Sequence, residues 1–511
     1  MYYEFSEQIE KIPPHRILAL NRGEKEEVLR VKISPPEKKI FLFIRKKVIQ
    51  GESIFKERLL EVIEDSYKRL IAPSISREIR NKLTEKAEEH AINVFSRNLK
   101  SILLQPPLKD KIIMGIDPGF RSGCKVCVID ETGKLLETAT IYPHPPQNQK
   151  EAGEKTVHKM LTEYNVDAVA IGNGTACRET EVFISQILKK DMDVAYTVVN
   201  EAGASVYSAS EIAREEFPEL DVSMRGAVSI ARRLQDPMAE LVKIDPAAIG
   251  VGLYQHDINI KKLNSSLTEV VESAVNYVGV DINTASAALL QYVAGINSRN
   301  AQKIIEHREE AGEYSCRRDL KEVYGIGPKT FQQCAGFIRM FSEQDPLART
   351  PIHPENYKET ELIINELDYS VNDLTSKIGQ KKIKDEVKKI NVNKKSEELQ
   401  IGVPTLNDII KALCNPGRDP REKISGPIFK KNVLQMEDLE EGMVLQGTVR
   451  NVVDFGAFVD IGVKEDGLVH ISELSNSYVE DPLNVVKAGE NVKVKVLGVD
   501  LKRKRISLSM K

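Results

Sequence analysis

Two runs of the chain carry residue types that grip phosphate. Leu320-Lys321-Glu322-Val323-Tyr324-Gly325-Ile326-Gly327-Pro328-Lys329-Thr330 sets Gly325-Ile326-Gly327 between two helical patterns. Leu290-Gln291-Tyr292-Val293-Ala294-Gly295-Ile296-Asn297 sets Gly295-Ile296-Asn297 ahead of a helical stretch at 298–310. Glycines let the backbone approach an anion closely, and free amides at the start of the next helix point at it. Lys329 adds charge beside Thr330. Such contacts read phosphate, not base sequence. Asn297 stands where a second glycine would repeat the pattern, and asparagine tolerates a left-handed backbone, so the turn survives. A purely structural helix pair is the plainer alternative for either copy.

Three carboxylates sit where strands and helices should end. Asp117 closes the run Met114-Gly115-Ile116-Asp117-Pro118-Gly119, Glu201 follows the run Val194–Val199, and Asp236 precedes Pro237 in a helical pattern. Cys124-Lys125-Val126-Cys127 has the spacing of half a zinc site, but a strand sends two thiols three apart to opposite faces, and no second pair is near. His15, in Pro14-His15-Arg16, has no acidic or nucleophilic motif beside it and reads as structural or surface.

The elements that must position these residues follow from periodicity. The chain has 511 residues, a net charge of −3 and six scattered cysteines. That length suggests several domains, and the cysteine pattern fits a reducing, cytoplasmic compartment. No apolar run approaches a membrane span, and Met1 to Lys11 is polar and acidic, unlike a targeting peptide. A near-neutral chain must bind polyanions through local patches. Ile79, Leu83, Ala87, Ala91, Phe95, Leu99 and Leu103 form the stripe of one helix over Ser76–Leu104, which Pro106-Pro107 ends. Ile40–Val48 is short and apolar and reads as a strand. From Lys111, three strands precede alternating helices and strands, which implies a mixed α/β sheet. Residues 264–342 read as helical, and 343–435 as charged and partly helical. Five short strands then fill 442–511, enough for a small closed barrel.

That last segment resembles the S1 RNA-binding domain, an OB-fold, through Gly447-Thr448-Val449, Asp454-Phe455-Gly456-Ala457-Phe458-Val459, Gly467-Leu468-Val469-His470-Ile471-Ser472 and Arg505-Ile506-Ser507-Leu508-Ser509. The resemblance implies an RNA-binding face of Phe455, Phe458, His470, Asp500 and Arg505. Exposed aromatics stack on bases at about 1–3 kcal/mol each. Arg505, with Lys502, Arg503 and Lys504, neutralises phosphates. Phe455 and Phe458 are three apart, so both reach one face only if the strand bulges, with Gly456 the expected place; otherwise one ring is core. One more residue than usual stands in the turn before Arg505. Ten Lys/Arg against ten Asp/Glu over 441–511 imply moderate, sequence-tolerant binding.

The glycine turns resemble the helix-hairpin-helix motif. The Asp117 segment resembles the YqgF family of the RNase H-like fold, related to Holliday-junction resolvases, whose enzymes hold two divalent metals with three or four acidic residues. Asp117 matches the first, Glu201 and Asp236 stand for others, and Asn173 in Ala170-Ile171-Gly172-Asn173-Gly174-Thr175 replaces a carboxylate with a weaker, neutral ligand. The degraded set points to a non-catalytic domain with no cofactor. The alternative is a metal-dependent nuclease using Asp117, Glu201 and Asp236, with Mg2+ required.

The full order resembles the Tex family of bacterial transcription accessory proteins, with further matching stretches at 15–23, 203–210, 232–237 and 249–257. The expected domains are a mainly helical segment over 1–107, a YqgF/RNase H-like domain over 108–245, a tandem helix-hairpin-helix domain over 246–345, a helical insert over 346–435 and the S1 barrel over 436–511. The resemblance implies a further N-terminal region ahead of this sequence. It also implies binding to RNA, with single-stranded or duplex DNA as further ligands, and RNA polymerase or the transcription and translation machinery as partners, away from membranes.

Overall fold

A computed structural model describes the chain except residues 1, 52–53, 189–193, 251, 253, 342–343, 424–438, 464 and 501–502. It divides into two compact units, one of residues 1–96 with 252–266 and one of the rest. The first unit is helical: α1 (Pro14–Lys25), α2 (Glu37–Val48), α3 (Lys56–Ser66), a π-helical turn at Tyr67–Ile71, and the start of α4 (Ala72–Leu103). Leu18, Tyr67, Ala87 and Phe95 form part of its buried interior. The expected strand at Ile40–Val48 is instead α2. Its apolar Ile40, Phe41 and Ile44 recur three to four apart, and Phe41 meets the Tyr67 ring edge-on at 4.8 Å. A helix satisfies its own backbone there; a lone strand would have had no ladder partner.

The second unit holds the mixed sheet. Its strands are β1 (Ile113–Asp117), β2 (Cys124–Ile129), β3 (Leu135–Ile141), β4 (Ala168–Gly172) and β5 (Ala195–Val199), in the order β3-β2-β1-β4-β5. The first three pair antiparallel, and β4 and β5 add in parallel. α5 (Lys150–Glu163) and α6 (Cys177–Leu188) supply the crossovers, since parallel neighbours need one. α7 (Ala204–Ala209), α8 (Glu211–Glu216), α9 (Val222–Gln235) and α10 (Pro237–Leu241) follow. Both faces of the sheet are buried, in separate cores, and Cys124 and Cys127 enter opposite ones.

Next come α11 (Ile260–Val278), β6 (Val280–Asp281), α12 (Ala287–Leu290), α13 (Ser298–Ala311), α14 (Pro328–Cys334) and β7 (Ile338–Arg339). β6 and β7 pair in parallel and tie the two hairpins together. A separate helical core is built by α15 (Tyr357–Glu366), α16 (Lys377–Val387), α17 (Val392–Leu399) and α18 (Val403–Leu413). The chain ends in β8 (Val444–Val453), β9 (Gly456–Asp460), β10 (Gly467–His470), β11 (Asn491–Asp500) and β12 (Arg505–Ser509), a closed barrel in the order β10-β12-β11-β8-β9. The barrel is seated within this unit. Asn98 donates to Asn451 Oδ1 at 2.7 Å and the Val452 carbonyl at 3.2 Å, and Arg178 donates to the Gly462 carbonyl at 2.7 Å.

Arg317 joins the hairpins to the helices that follow. It is 1% exposed, and its guanidinium donates to the carbonyls of Ile338, Ala348, Thr350 and Ile352 and to the Tyr357 hydroxyl. Replacing it leaves the Thr350 and Ile352 carbonyls without that donor and weakens the bonding of those of Ile338 and Ala348. Arg317→Met is expected to cost about 3–5 kcal/mol, read as a lower thermal midpoint and new protease cleavage within 346–421.

Candidate nucleic-acid interface

The barrel gathers its aromatic residues through a turn rather than a bulge at Gly456. Phe455 lies in the turn before β9, off the strand, and its carbonyl accepts from the Ile471 amide at 2.9 Å. The break in strand register falls opposite, between Val449 and Asn451 of β8. The two half-buried rings therefore meet edge to face, with centroids 6.1 Å apart. Gly456 has a different task. It pairs with His470 at φ 150°, and a Cβ there would lie 2.1 Å from the Val469 carbonyl oxygen. Only glycine lets β9 pass that close.

His470 is exposed at the end of β10, and its Nδ1 accepts from the Ser472 amide at 3.3 Å. Arg505 and Lys504 are exposed, and Arg505 sits across from Asp500. Asp500 accepts from the Arg503 amide at 2.9 Å and so helps close the β11–β12 turn. Lys502 lies outside the described residues.

The hairpin turns repeat each other residue by residue. Gly295 and Gly325 adopt φ 83° and 99°, Ile296 and Ile326 are each 5% exposed, and Asn297 and Gly327 start the next helices in extended conformations. The left-handed position is thus the first glycine. Asn297, expected to be left-handed, has φ −96° and caps α13, its Oδ1 accepting from the Asn300 amide at 2.9 Å. Gly327 has no side chain to do this, so the Lys329 and Thr330 amides have no side-chain cap. The turns interlock: a Cβ on Gly295 would lie 2.7 Å from Gln333 Cβ, and one on Gly325 would lie 3.1 Å from Asn300 Oδ1. The shared register shows a residue that motif reading alone missed. Arg299 occupies the place of Lys329, and both are exposed. A related turn appears at Gln400-Ile401-Gly402 before α18, with Gln400 at φ 54°. It lacks the leading glycine that marks the other two.

Of the three carboxylates, the fold brings two together. Asp117, at the end of β1, is pushed up to about 6 by burial and by Glu201, while Lys125 across the strand pair pulls the other way. Burial also raises Glu201, which packs over Gly174. Asn173 does not face outward as a ligand; its Oδ1 accepts from the Glu201 amide at 2.9 Å. Asp236 is engaged elsewhere. It caps α10 through the Met238 and Ala239 amides and holds Arg421 in a two-pronged pair at 2.8 and 3.0 Å. Among the described residues no group of three or more His, Cys, Asp or Glu side chains is arranged to hold a metal ion. These residues do not fit a two-metal centre.

The Asp117 carboxyl keeps its proton to higher pH when folded, so stability falls as pH rises from about 4 to 6. Asp117→Asn is expected to stabilise the protein at pH 7.5 by about 1–3 kcal/mol, with the gain shrinking at pH 4.5, measured by thermal melts at both.

Comparison with known proteins agrees with this layout. Family models match the chain as a Tex central region-like segment over 1–95, a Tex protein YqgF-like domain over 111–235, a helix-hairpin-helix motif over 275–339, an HHH domain over 345–421 and an S1 RNA binding domain over 438–511. The expected helical insert is largely covered by the HHH domain match. The whole chain is 56% identical to "Uncharacterized protein YdcI" of Bacillus subtilis, 47% to "Protein YhgF" of Escherichia coli and 45% to "Transcriptional accessory protein Tex" of Neisseria gonorrhoeae. It spans 71%, 66% and 67% of their lengths. No helix among the described residues is long and apolar enough to cross a membrane. With all of its sequence aligned to such relatives and its modules in this order, the chain belongs to the Tex family.

Proposed function

We propose that the chain is a sequence-tolerant, RNA-preferring nucleic-acid-binding factor that assists transcription from the cytoplasm. The observation that carries this reading is the barrel face. Phe455 and Phe458 lie 6.1 Å apart, Gly456 between them pairs with exposed His470, and exposed Arg505 stands on β12 of the same barrel, so one small module offers stacking rings and a cation. Gly295, Ile296, Asn297, Gly325, Ile326, Gly327, Lys329 and Thr330 form a second contact region for the sugar–phosphate backbone. RNA polymerase or another part of the transcription and translation machinery is the protein partner in this reading, in line with the printed name of the gonococcal relative.

A nuclease reading draws on one feature, the Asp117–Glu201 pair with its raised carboxyl. Against it stand Asp236 bound to Arg421 and Asn173 bound to the Glu201 amide. The YqgF-like domain acts here as a scaffold.

Phe455→Ala and Phe458→Ala should each weaken binding to single-stranded RNA by about tenfold, from the loss of one stacked base. Anisotropy titrations across a salt series measure this, and unchanged affinity in both variants would remove the barrel from the reading. Incubating RNA, duplex DNA and junction DNA with magnesium or manganese should leave every strand intact. Cleavage abolished by Asp117→Ala would make the protein an enzyme.

A further inference from the structure

At the tip of the second hairpin turn, next to Gly325, Tyr324 is 84% exposed. Exposure alone assigns no role, since lone exposed aromatics are common; its setting does more. This ring is not loose: the Lys303 ammonium lies 4.1 Å from its centroid. Lys303 comes from α13, the helix of the other hairpin, and a Cβ on Gly325 would lie 3.4 Å from the same ammonium. The interlocked turns therefore hold a tyrosine with a cation on one face. The corresponding place in the first turn is Ala294, so the feature belongs to one hairpin only.

Cations stand at matching positions of both hairpins. Arg299 and Lys329, at equivalent positions of α13 and α14, are both exposed, and neither has an ion-pair partner among the described residues. A fixed aromatic surface among unpaired cations is what a single strand needs, because unstacked bases offer their faces while phosphates meet the charges. A continuous duplex keeps its bases stacked inside and would meet the cations alone.

We infer that Tyr324 is a stacking platform for an unpaired base, flanked by Arg299 and Lys329 as phosphate contacts. The tandem hairpins on this account select single-stranded or junction nucleic acid over continuous duplex. The inference rests on the nucleic-acid-binding reading above and adds a specificity to it.

The test uses the full chain with Phe455→Ala and Phe458→Ala, which removes the barrel's stacking residues, with and without Tyr324→Ala or Tyr324→Phe. The probes are a polyuridine oligomer, the same strand annealed to its complement, and a single strand carrying 2-aminopurine. Tyr324→Ala should lower single-strand affinity by about tenfold and abolish 2-aminopurine quenching, while duplex affinity holds. Tyr324→Phe, which keeps the ring, should retain both signals. Equal loss on single strand and duplex, or no loss on either, overturns the inference. If that happens while the Phe455 and Phe458 substitutions still weaken the otherwise native chain, the functional reading stands alone. If no form of the chain binds any probe, both fall.

Discussion

Buried guanidinium groups hold the larger unit together. Arg317, fully enclosed, spends its donors on carbonyls of β7 and of the segment that follows, and so fixes the tandem hairpins to the helices of the HHH domain. Arg421, 3% exposed as a side chain, pairs with Asp419 and reaches Asp236 between α9 and α10, which ties those helices back to the mixed sheet. Arg178 bonds the barrel to α6 through the Gly462 carbonyl. A desolvated charge is costly unless its donors are satisfied, as those of Arg317 are, and the planar five-donor fork of arginine can satisfy several main-chain acceptors at once. Each link is consequently specific in geometry and costly to break.

This constraint explains the state of the carboxylates. Asp236 is on the chain where a third acidic ligand would be sought, yet its charge is consumed in a domain junction with a residue far along the sequence. Asp117 and Glu201 are left as a half-buried pair, both raised by burial, and Asp117 further by Glu201, with Lys125 as the cation near Asp117. Within the YqgF-like domain, the Asp236 charge serves packing.

The surfaces facing solvent follow another logic. On the barrel, a turn and a close-packed glycine set two phenylalanines beside a histidine. On the hairpins, two left-handed glycines place the following residues, Arg299 and Lys329, at matching positions. In both places rigid backbone devices carry a few exposed side chains. That arrangement suits recognition of a polymer whose repeating parts are phosphates and flat bases, and it works without a strongly basic overall charge.

Local pattern was enough to read much of this. Period-two runs gave the barrel strands, a four-residue stripe gave α4, and glycine spacing gave the two turns, because each is set by neighbours a few residues away. Motif resemblance placed the modules for the same reason. Local pattern failed for α2, where a short apolar run was ambiguous until Tyr67 was seen to pack on one side of it. It also misplaced the bulge expected at Gly456 and the left-handed residue expected at Asn297. What only tertiary structure decided were meetings between distant residues: Arg421 with Asp236, Lys303 with Tyr324, and Asn173 with Glu201. Such meetings depend on how elements pack against one another, and no spacing along the chain encodes them.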